Sequence, residues 1–161
     1  MSRTFPLAFA HHDHNDCRKM AIDEAKKLCE TRQVRLTPVR ERVLSLLWAA
    51  HEPMRAYDIL EKLGAEGFGS QPPVVYRALD FLIQHGLAHK IECLNAYLAC
   101  DQPGADHGAK FLICTSCNRV AEFDDQAIAR ALHQVADGSG FSIGRATLEV
   151  EGLCPDCISS P

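Results

Sequence analysis

Two Cys-x-x-Cys pairs, Cys114-Thr-Ser-Cys117 and Cys154-Pro-Asp-Cys157, constrain this chain of 161 residues more than any other feature. A Cys-x-x-Cys turn aims two thiolates at one point, and two such turns complete a tetrahedral S4 site that closes around Zn2+. Such a site keeps no open coordination position, so its expected role is structural: it staples the start of a small domain to the end of the chain. The competing reading is a redox pair or two unrelated thiol pairs. Eight cysteines without a secretory signal favour ligation over disulfides, because paired thiols in a reducing compartment are more often metal ligands or redox centres. The apolar patch from Phe5 to Ala10 has only Arg3 before it and no small-residue cleavage site after it. Every apolar run is broken by charge well short of the about 20 residues a membrane helix needs. The expectation is a cytoplasmic chain with no membrane partner.

A hydrophobic content of 47% supplies one ordinary core or two small ones. The net charge of −4 argues at first against a nucleic-acid partner. Its distribution reverses that argument: residues 1–90 hold 13 Lys and Arg against 11 Asp and Glu, whereas residues 91–161 hold 4 against 10. A basic first half and an acidic second half fit a DNA-facing domain joined to a second unit.

The periodicities give that division an architecture. Cys17 to Thr31 reads as a helix with Ile22, Ala25, Leu28 and Cys29 on one face. Thr37-Pro38 reads as an N-cap and first turn, followed by a stripe of Val39, Val43, Leu44, Leu47 and Trp48. A short third helix carries Ala56, Ile59, Leu60 and Leu63, and a fourth begins near Pro72 with Val75, Leu79, Leu82 and Ile83 inward and Gly86 as its stop. Leu87–Glu92 and Ala96–Ala99 alternate about a turn at Leu94-Asn95 and read as a hairpin. This order is that of a winged helix-turn-helix, whose last helix enters the major groove with the hairpin beside it.

Residues 101–108 read as a linker, and strands at Phe111–Cys114 and Arg119–Phe123 follow it. After these come a helix from Asp125 to Ala136 (Ile128, Ala131, Leu132 and Val135 inward) and a strand around Phe141–Val150. The fold class is thus α+β: an N-terminal winged-helix domain (17–100) after a tail (1–16), then a small C-terminal α/β unit (109–161). That unit offers too little core to stand alone and is expected to pair with a second copy.

A second donor set brackets the linker: His89 on the first hairpin strand, Cys100 after the second, His107 in the linker and Glu122 beyond it. A metal bound by all four would fix the angle between domains. Each also has an ordinary alternative, a solvated histidine or a buried thiol acting as a small hydrophobe. Cys17, Cys29 and Cys93 read as core or surface thiols, and His11, His12 and His14 as part of the tail. A zinc deaminase or hydrolase is disfavoured, since no His-x-Glu is present and Cys154 follows Leu153 where a deaminase has Pro. No Gly-rich phosphate loop or nucleophile elbow occurs either, so no enzymatic activity is expected.

The chain resembles the ferric uptake regulator superfamily, and within it the zinc uptake regulators. The resemblance is carried by Arg35-Leu-Thr-Pro-Val-Arg40, Ala56-Tyr-Asp-Ile-Leu60, Pro72-Pro-Val-Val-Tyr76-Arg77-Ala-Leu79, Gly86-Leu-Ala-His89-Lys90-Ile91, Phe111-Leu-Ile-Cys114 through Cys117, and Gly152-Leu-Cys154-Pro-Asp-Cys157. It implies a homodimer that binds two zinc ions per subunit and, when loaded, a pseudo-palindromic operator in double-stranded DNA, repressing zinc-uptake genes. The structural zinc falls on Cys114, Cys117, Cys154 and Cys157, and the regulatory zinc on His89, Cys100, His107 and Glu122. Iron- and peroxide-sensing relatives, the alternative, carry a His-His-x-His cluster before the first Cys-x-x-Cys; here that stretch retains Asp106-His107, and Cys100 adds a soft thiolate that suits Zn2+. The DNA contacts implied are Tyr76 and Arg77 on the fourth helix, with Tyr57 at a position near the DNA and Arg35, Arg40 and Lys90 as phosphate contacts. Val75 and Leu79 already occupy the inward stripe, so Tyr76 and Arg77 are expected to point outward. Glu61 and Gly64 stand where some relatives place an Asp and an Arg for salt bridges between dimers. The resemblance therefore does not extend to cooperative loading through that pair.

Overall fold

A computed structural model describes residues 14–49, 52–69, 71–104 and 108–159, with side chains from residue 18 onward. The elements are α1 (His14–Thr31), α2 (Pro38–Leu47), α3 (Ala56–Ala65), α4 (Pro72–Gln84), β1 (Ala88–Ile91), β2 (Ala96–Ala99), β3 (Ala109–Cys114), β4 (Val120–Glu122), α5 (Gln126–Gly138), β5 (Thr147–Gly152) and α6 (Pro155–Ser159). No helix among the described residues is long and apolar enough to cross a membrane. Residues 1–13 of the expected tail, His11 and His12 among them, lie outside the described residues, as do the side chains of His14 and Cys17.

Local chemistry sets the helix ends. Thr37 caps α2, its hydroxyl accepting from the Arg40 amide at 3.4 Å, with Pro38 in the first turn. Gly86 (φ +67°) ends α4: its amide bonds the Ile83 carbonyl at 3.1 Å while the Leu87 amide bonds Leu82 at 2.8 Å. That pair of bonds satisfies the last carbonyls and needs a left-handed residue between them, which glycine supplies without strain. The chain leaves this turn directly into β1, so one glycine sets how the hairpin departs from the helices.

The hairpin β1–β2 is antiparallel, with His89 opposite Leu98 and Ile91 opposite Ala96. It lies between two cores. Leu87, Ala88, Tyr97 and Ala99 join the core of α1–α4, built on Val43, Leu44, Leu47, Ile59, Leu63, Val75, Leu79 and Leu82. Ile91 and Leu98 instead pack with Ala109, Phe111, Ile113 and Val120 of the second sheet. That sheet has the order β4-β3-β5, β3 pairing antiparallel to β4 and parallel to β5. Apolar contact therefore continues from one unit to the other through the hairpin.

Several expectations change here. Helix α1 begins three residues earlier than the Cys17 start. The last strand runs Thr147–Gly152 instead of Phe141–Val150, because it forms only where β3 offers ladder partners, from Ala109 opposite Thr147 to Cys114 opposite Gly152. The stripe expected to face inward on α5 does not: Val135 is 75% exposed, Leu132 is 39% exposed, Ala131 is exposed and Ile128 half-buried, while Ala136 is the buried residue. The α5 periodicity is genuine, but within one chain its apolar face is only partly covered by the described residues, and Val135 stands outside. Such a face is what a pairing surface requires.

Candidate metal centres and DNA-facing surface

The four-cysteine cluster forms where the ends of two parallel strands meet. Cys114 closes β3, and the chain turns back through Asn118 (φ +59°), whose amide bonds the Cys114 carbonyl at 2.9 Å. Cys154 follows β5 and Cys157 lies in α6; the Thr115 amide bonds Gly152 O at 2.8 Å and holds the two turns side by side. All four Sγ atoms lie within 4.8 Å of one another. The Cys117 and Cys154 sulfurs are 3.8 Å apart, too far for a disulfide but equal to the edge of a tetrahedron with the Zn–S length of about 2.3 Å. The donor set and its spacing thus fit Zn2+.

The surroundings favour thiolates on the buried pair. Backbone N–H groups of Cys117 and Cys154 hold the Cys114 thiol down at about 6, and the Cys157 amide lowers Cys154. At Cys157 the Ser116 hydrogen bond favours the thiolate, but the neighbouring Cys154 and burial outweigh it and push the thiol up to about 12. Arg119 spans the cluster: it donates to Cys117 Sγ at 3.4 Å and to Cys154 Sγ at 3.2 Å, and it pairs with Asp156. A guanidinium there offsets part of the negative charge of four converging thiolates.

The second cluster joins the hairpin to the sheet. His89 comes from β1, Cys100 directly follows β2 with its amide bonded to Leu87 O at 3.0 Å, and Glu122 ends β4. One donor atom from each lies within 4.8 Å of the other two. His89 Nε2 is 2.9 Å from Glu122 Oε1, and Glu122 Oε2 accepts from the Asp101 amide at 3.2 Å. The His89 and Phe111 rings meet in a T-shaped arrangement, 5.3 Å between centroids. Burial alone would raise Glu122, but the His89 hydrogen bond and charge outweigh it and hold the carboxyl down at about 2. Burial, with the Glu122 charge, pushes the Cys100 thiol well above its usual range. An imidazole, a thiol and a carboxylate converging in a buried space fit a transition-metal ion, and the sulfur favours Zn2+ over an oxygen-preferring ion. His107, the fourth expected donor, lies outside the described residues. The loop leading toward it is seated on α1 at Gly104 (φ +82°), where a Cβ would sit 3.1 Å from Leu28 Cδ1.

In the helical unit, α4 turns Val75, Ala78, Leu79 and Leu82 inward and leaves Tyr76 (49% exposed) and Arg77 outside, as its stripe implies. Tyr57 stands free in the first turn of α3 at 75% exposure, and Arg35 is exposed just before α2. Two other expected contacts are engaged by the fold. Arg40 donates to the Arg35 carbonyl at 2.6 Å with its guanidinium 3.7 Å over the Phe81 ring, and Lys90 pairs with Glu92 at 2.8 Å. Cys29 is a core thiol and Cys93 an exposed one, the two bland readings open to them.

No sequence pattern singles out Arg119 or Glu149. Arg119 left a faint trace, a cation two residues after a Cys-x-x-Cys. Glu149 left none, because its contacts cross from β5 to the hairpin turn: it accepts from the Glu92 amide at 2.7 Å and the Cys93 amide at 3.0 Å.

Comparison with known proteins agrees with this geometry. The model of the Ferric uptake regulator family matches residues 31–151. The chain is 38% identical over 140 residues to the zinc uptake regulation protein of Escherichia coli K12, covering 85% of this chain and 81% of that protein. A zinc uptake regulator complexed with zinc and DNA superposes with a TM-score of 0.82 at 36% identity, over 88% of this chain and 95% of that one. Holo XcZur superposes with a TM-score of 0.81 and apo XcZur with 0.52, at 38% and 40% identity, each over 89% of this chain and 99% of the other.

Proposed function

The chain belongs to the ferric uptake regulator family, and from that premise we propose that it is a cytoplasmic, zinc-responsive repressor that binds operator DNA as a homodimer. The observation that carries this reading is the buried His89–Cys100–Glu122 cluster at the junction of the two units. Two zinc ions per subunit are assigned: one to Cys114, Cys117, Cys154 and Cys157, the other to His89, Cys100 and Glu122, with His107 completing the set. The domains follow: 17–100 binds DNA, 101–108 is the hinge, and 109–161 carries the four-cysteine site and pairs the subunits through the exposed face of α5.

At the hinge, bound zinc supplies bonds between residues that otherwise belong to separate elements. His89 and Cys100 stand at the ends of the hairpin and Glu122 on the sheet, so ligation by all three fixes hairpin against sheet. The α4 helices of a dimer then hold one spacing, and operator affinity and hinge-site affinity rise together by linkage. The likeness to holo XcZur at a far higher TM-score than to apo XcZur, at nearly equal identity, supports reading this arrangement as the loaded one.

The test is metal analysis of the purified chain, with operator binding titrated against free Zn2+, Fe2+ and Mn2+. Zinc-selective binding is expected; equal or better response to Fe2+ or Mn2+ makes the chain an iron or peroxide sensor of the same family. Arg77→Ala is expected to cost about 1–3 kcal/mol against the best operator and to relax base preference at one position, whereas Arg35→Ala weakens all duplexes alike. Competition across a panel of single-base operator variants separates the two effects.

Hinge-site zinc must displace the proton that burial holds on Cys100, whereas Glu122 is already ionised above about pH 2. Apparent hinge affinity therefore drops as pH is lowered from about 8 to 6, by at least about ten-fold per unit for the Cys100 proton, with any proton carried by His89 steepening the slope. Chelator competition at three pH values measures the slope, and a flat profile would contradict the assignment of Cys100 as a ligand.

A further inference from the structure

One rung of the second sheet touches the hairpin at three points. Phe111 of β3 is registered with Glu122 of β4 on one side and Glu149 of β5 on the other. Registered neighbours in a sheet project to the same face, so Glu122, Phe111 and Glu149 form a row across it, its ends separated by two strand spacings, about 10 Å. All three meet the hairpin. Glu122 Oε1 lies 2.9 Å from His89 Nε2, Phe111 packs against the His89 ring within the core that holds Ile91 and Leu98, and Glu149 accepts from the Glu92 and Cys93 amides. His89 stands near the start of β1, and Glu92 and Cys93 follow its end, so the row grips the strand at both extremities.

We infer that Glu149 is a positioning residue for zinc response: a metal-free clasp that sets the hairpin angle together with the hinge ligands at the other end of the rung. This rests on the proposed zinc-responsive operator binding. A single anchor at His89 leaves the hairpin able to pivot about Phe111. A second anchor about 10 Å away removes that rotation. A carboxylate accepting from two successive backbone N–H groups suits this task, because charge-assisted bonds are stronger than neutral ones and their geometry is directional. The clasp holds the turn through two backbone amides, and the Cys93 thiol bonds the same carboxylate.

The zinc-loaded, full-length chain tests this through Glu149→Ala and the milder Glu149→Gln, which keeps one acceptor oxygen. Hydrogen exchange at the Glu92 and Cys93 amides is expected to quicken by about ten-fold or more in Glu149→Ala, the factor that loss of one charge-assisted bond implies. Exchange in α4 should not change. Affinity at saturating zinc for a duplex enriched from a random library by the wild-type chain should fall by about ten-fold, with Glu149→Gln intermediate, while Co2+ substituted at the hinge keeps its thiolate charge-transfer band. Wild-type exchange at both amides, or operator affinity within two-fold of wild type, overturns the clasp. A wild-type chain whose duplex binding ignores zinc refutes the functional reading instead, and the exchange measurement still decides whether the clasp exists.

Discussion

Replacing Cys154 by Ser is expected to remove one zinc per chain and to unfold the C-terminal unit. The second sheet owns few fully buried large side chains, chiefly Phe111 and Val120, against a much longer roster in the helical core. So small a core does not offset the entropy of ordering some fifty residues, and a structural metal or a partner chain must make up the difference. Structural zinc sites in small domains bind with about 10–16 kcal/mol of apparent free energy, and where no site exists in the unfolded chain this is folding free energy. Cys154 is the severe position because it is buried, lies 3.8 Å from Cys117 Sγ and presents its amide to Cys114 Sγ; Ser would leave a hydroxyl among thiolates with three ligands remaining. Helices α1–α4 keep their own core, so the expected product is a monomer with an intact helical domain and a disordered remainder. Metal analysis should find one zinc fewer, light scattering the mass of one chain, and hydrogen exchange loss of protection confined to residues beyond the hairpin. A dimer with unchanged protection would show that the four cysteines are dispensable for folding.

What could be read from the sequence, and what could not, divides along the range of the interactions. The α2 N-cap, the Gly86 stop and the inward stripes of α2, α3 and α4 are local rules in which residues three or four apart decide the outcome, and each appears where the sequence put it. The four cysteines were legible because ligand chemistry fixes both residue type and spacing. The α5 stripe shows where locality ends: periodicity identifies an apolar face but not what covers it, and Leu132 and Val135 remain outside in a single chain. Arg40 shows the same from the polar side, since nothing in its neighbourhood foretells the Phe81 ring 3.7 Å from its guanidinium. The hinge cluster and the Glu122–Phe111–Glu149 rung are harder still. Their members come from strands whose pairing must be known before any two become neighbours, so His89 or Glu149 alone carries no signal.

Cys100→Ser is expected to separate sensing from folding. Cys100 is 1% exposed, and Ser differs from it by one atom, so the site should keep its shape while losing its only sulfur donor among the described ligands. Serine stays protonated and is a poor ligand for Zn2+, whereas a thiolate both bonds strongly and carries charge. Removing a ligand should exceed the 10–100-fold loss typical of an outer-shell partner, so hinge affinity should fall by at least about 100-fold. The four-cysteine zinc, the dimer and the melting of the helical domain should be unchanged, because the four-cysteine cluster shares no ligand with the hinge and begins at Cys114, three residues along β3 from Phe111, the partner of Glu122. Operator binding should then be lost at the free zinc that saturates wild type. A differential of about 5.5 kcal/mol is needed to carry a two-state hinge from 1% to 99% competent, and the weakened site supplies too little of it. Much higher zinc should recover part of the binding, and that recovery distinguishes a crippled sensor from a misfolded protein. Glu122→Gln serves as the second arm: it keeps the shape and the acceptor for the Asp101 amide while deleting the charge. If Cys100→Ser retains the wild-type zinc midpoint for operator binding, the sensory site lies elsewhere in the chain and the His89–Cys100–Glu122 cluster is a packing feature of the hinge.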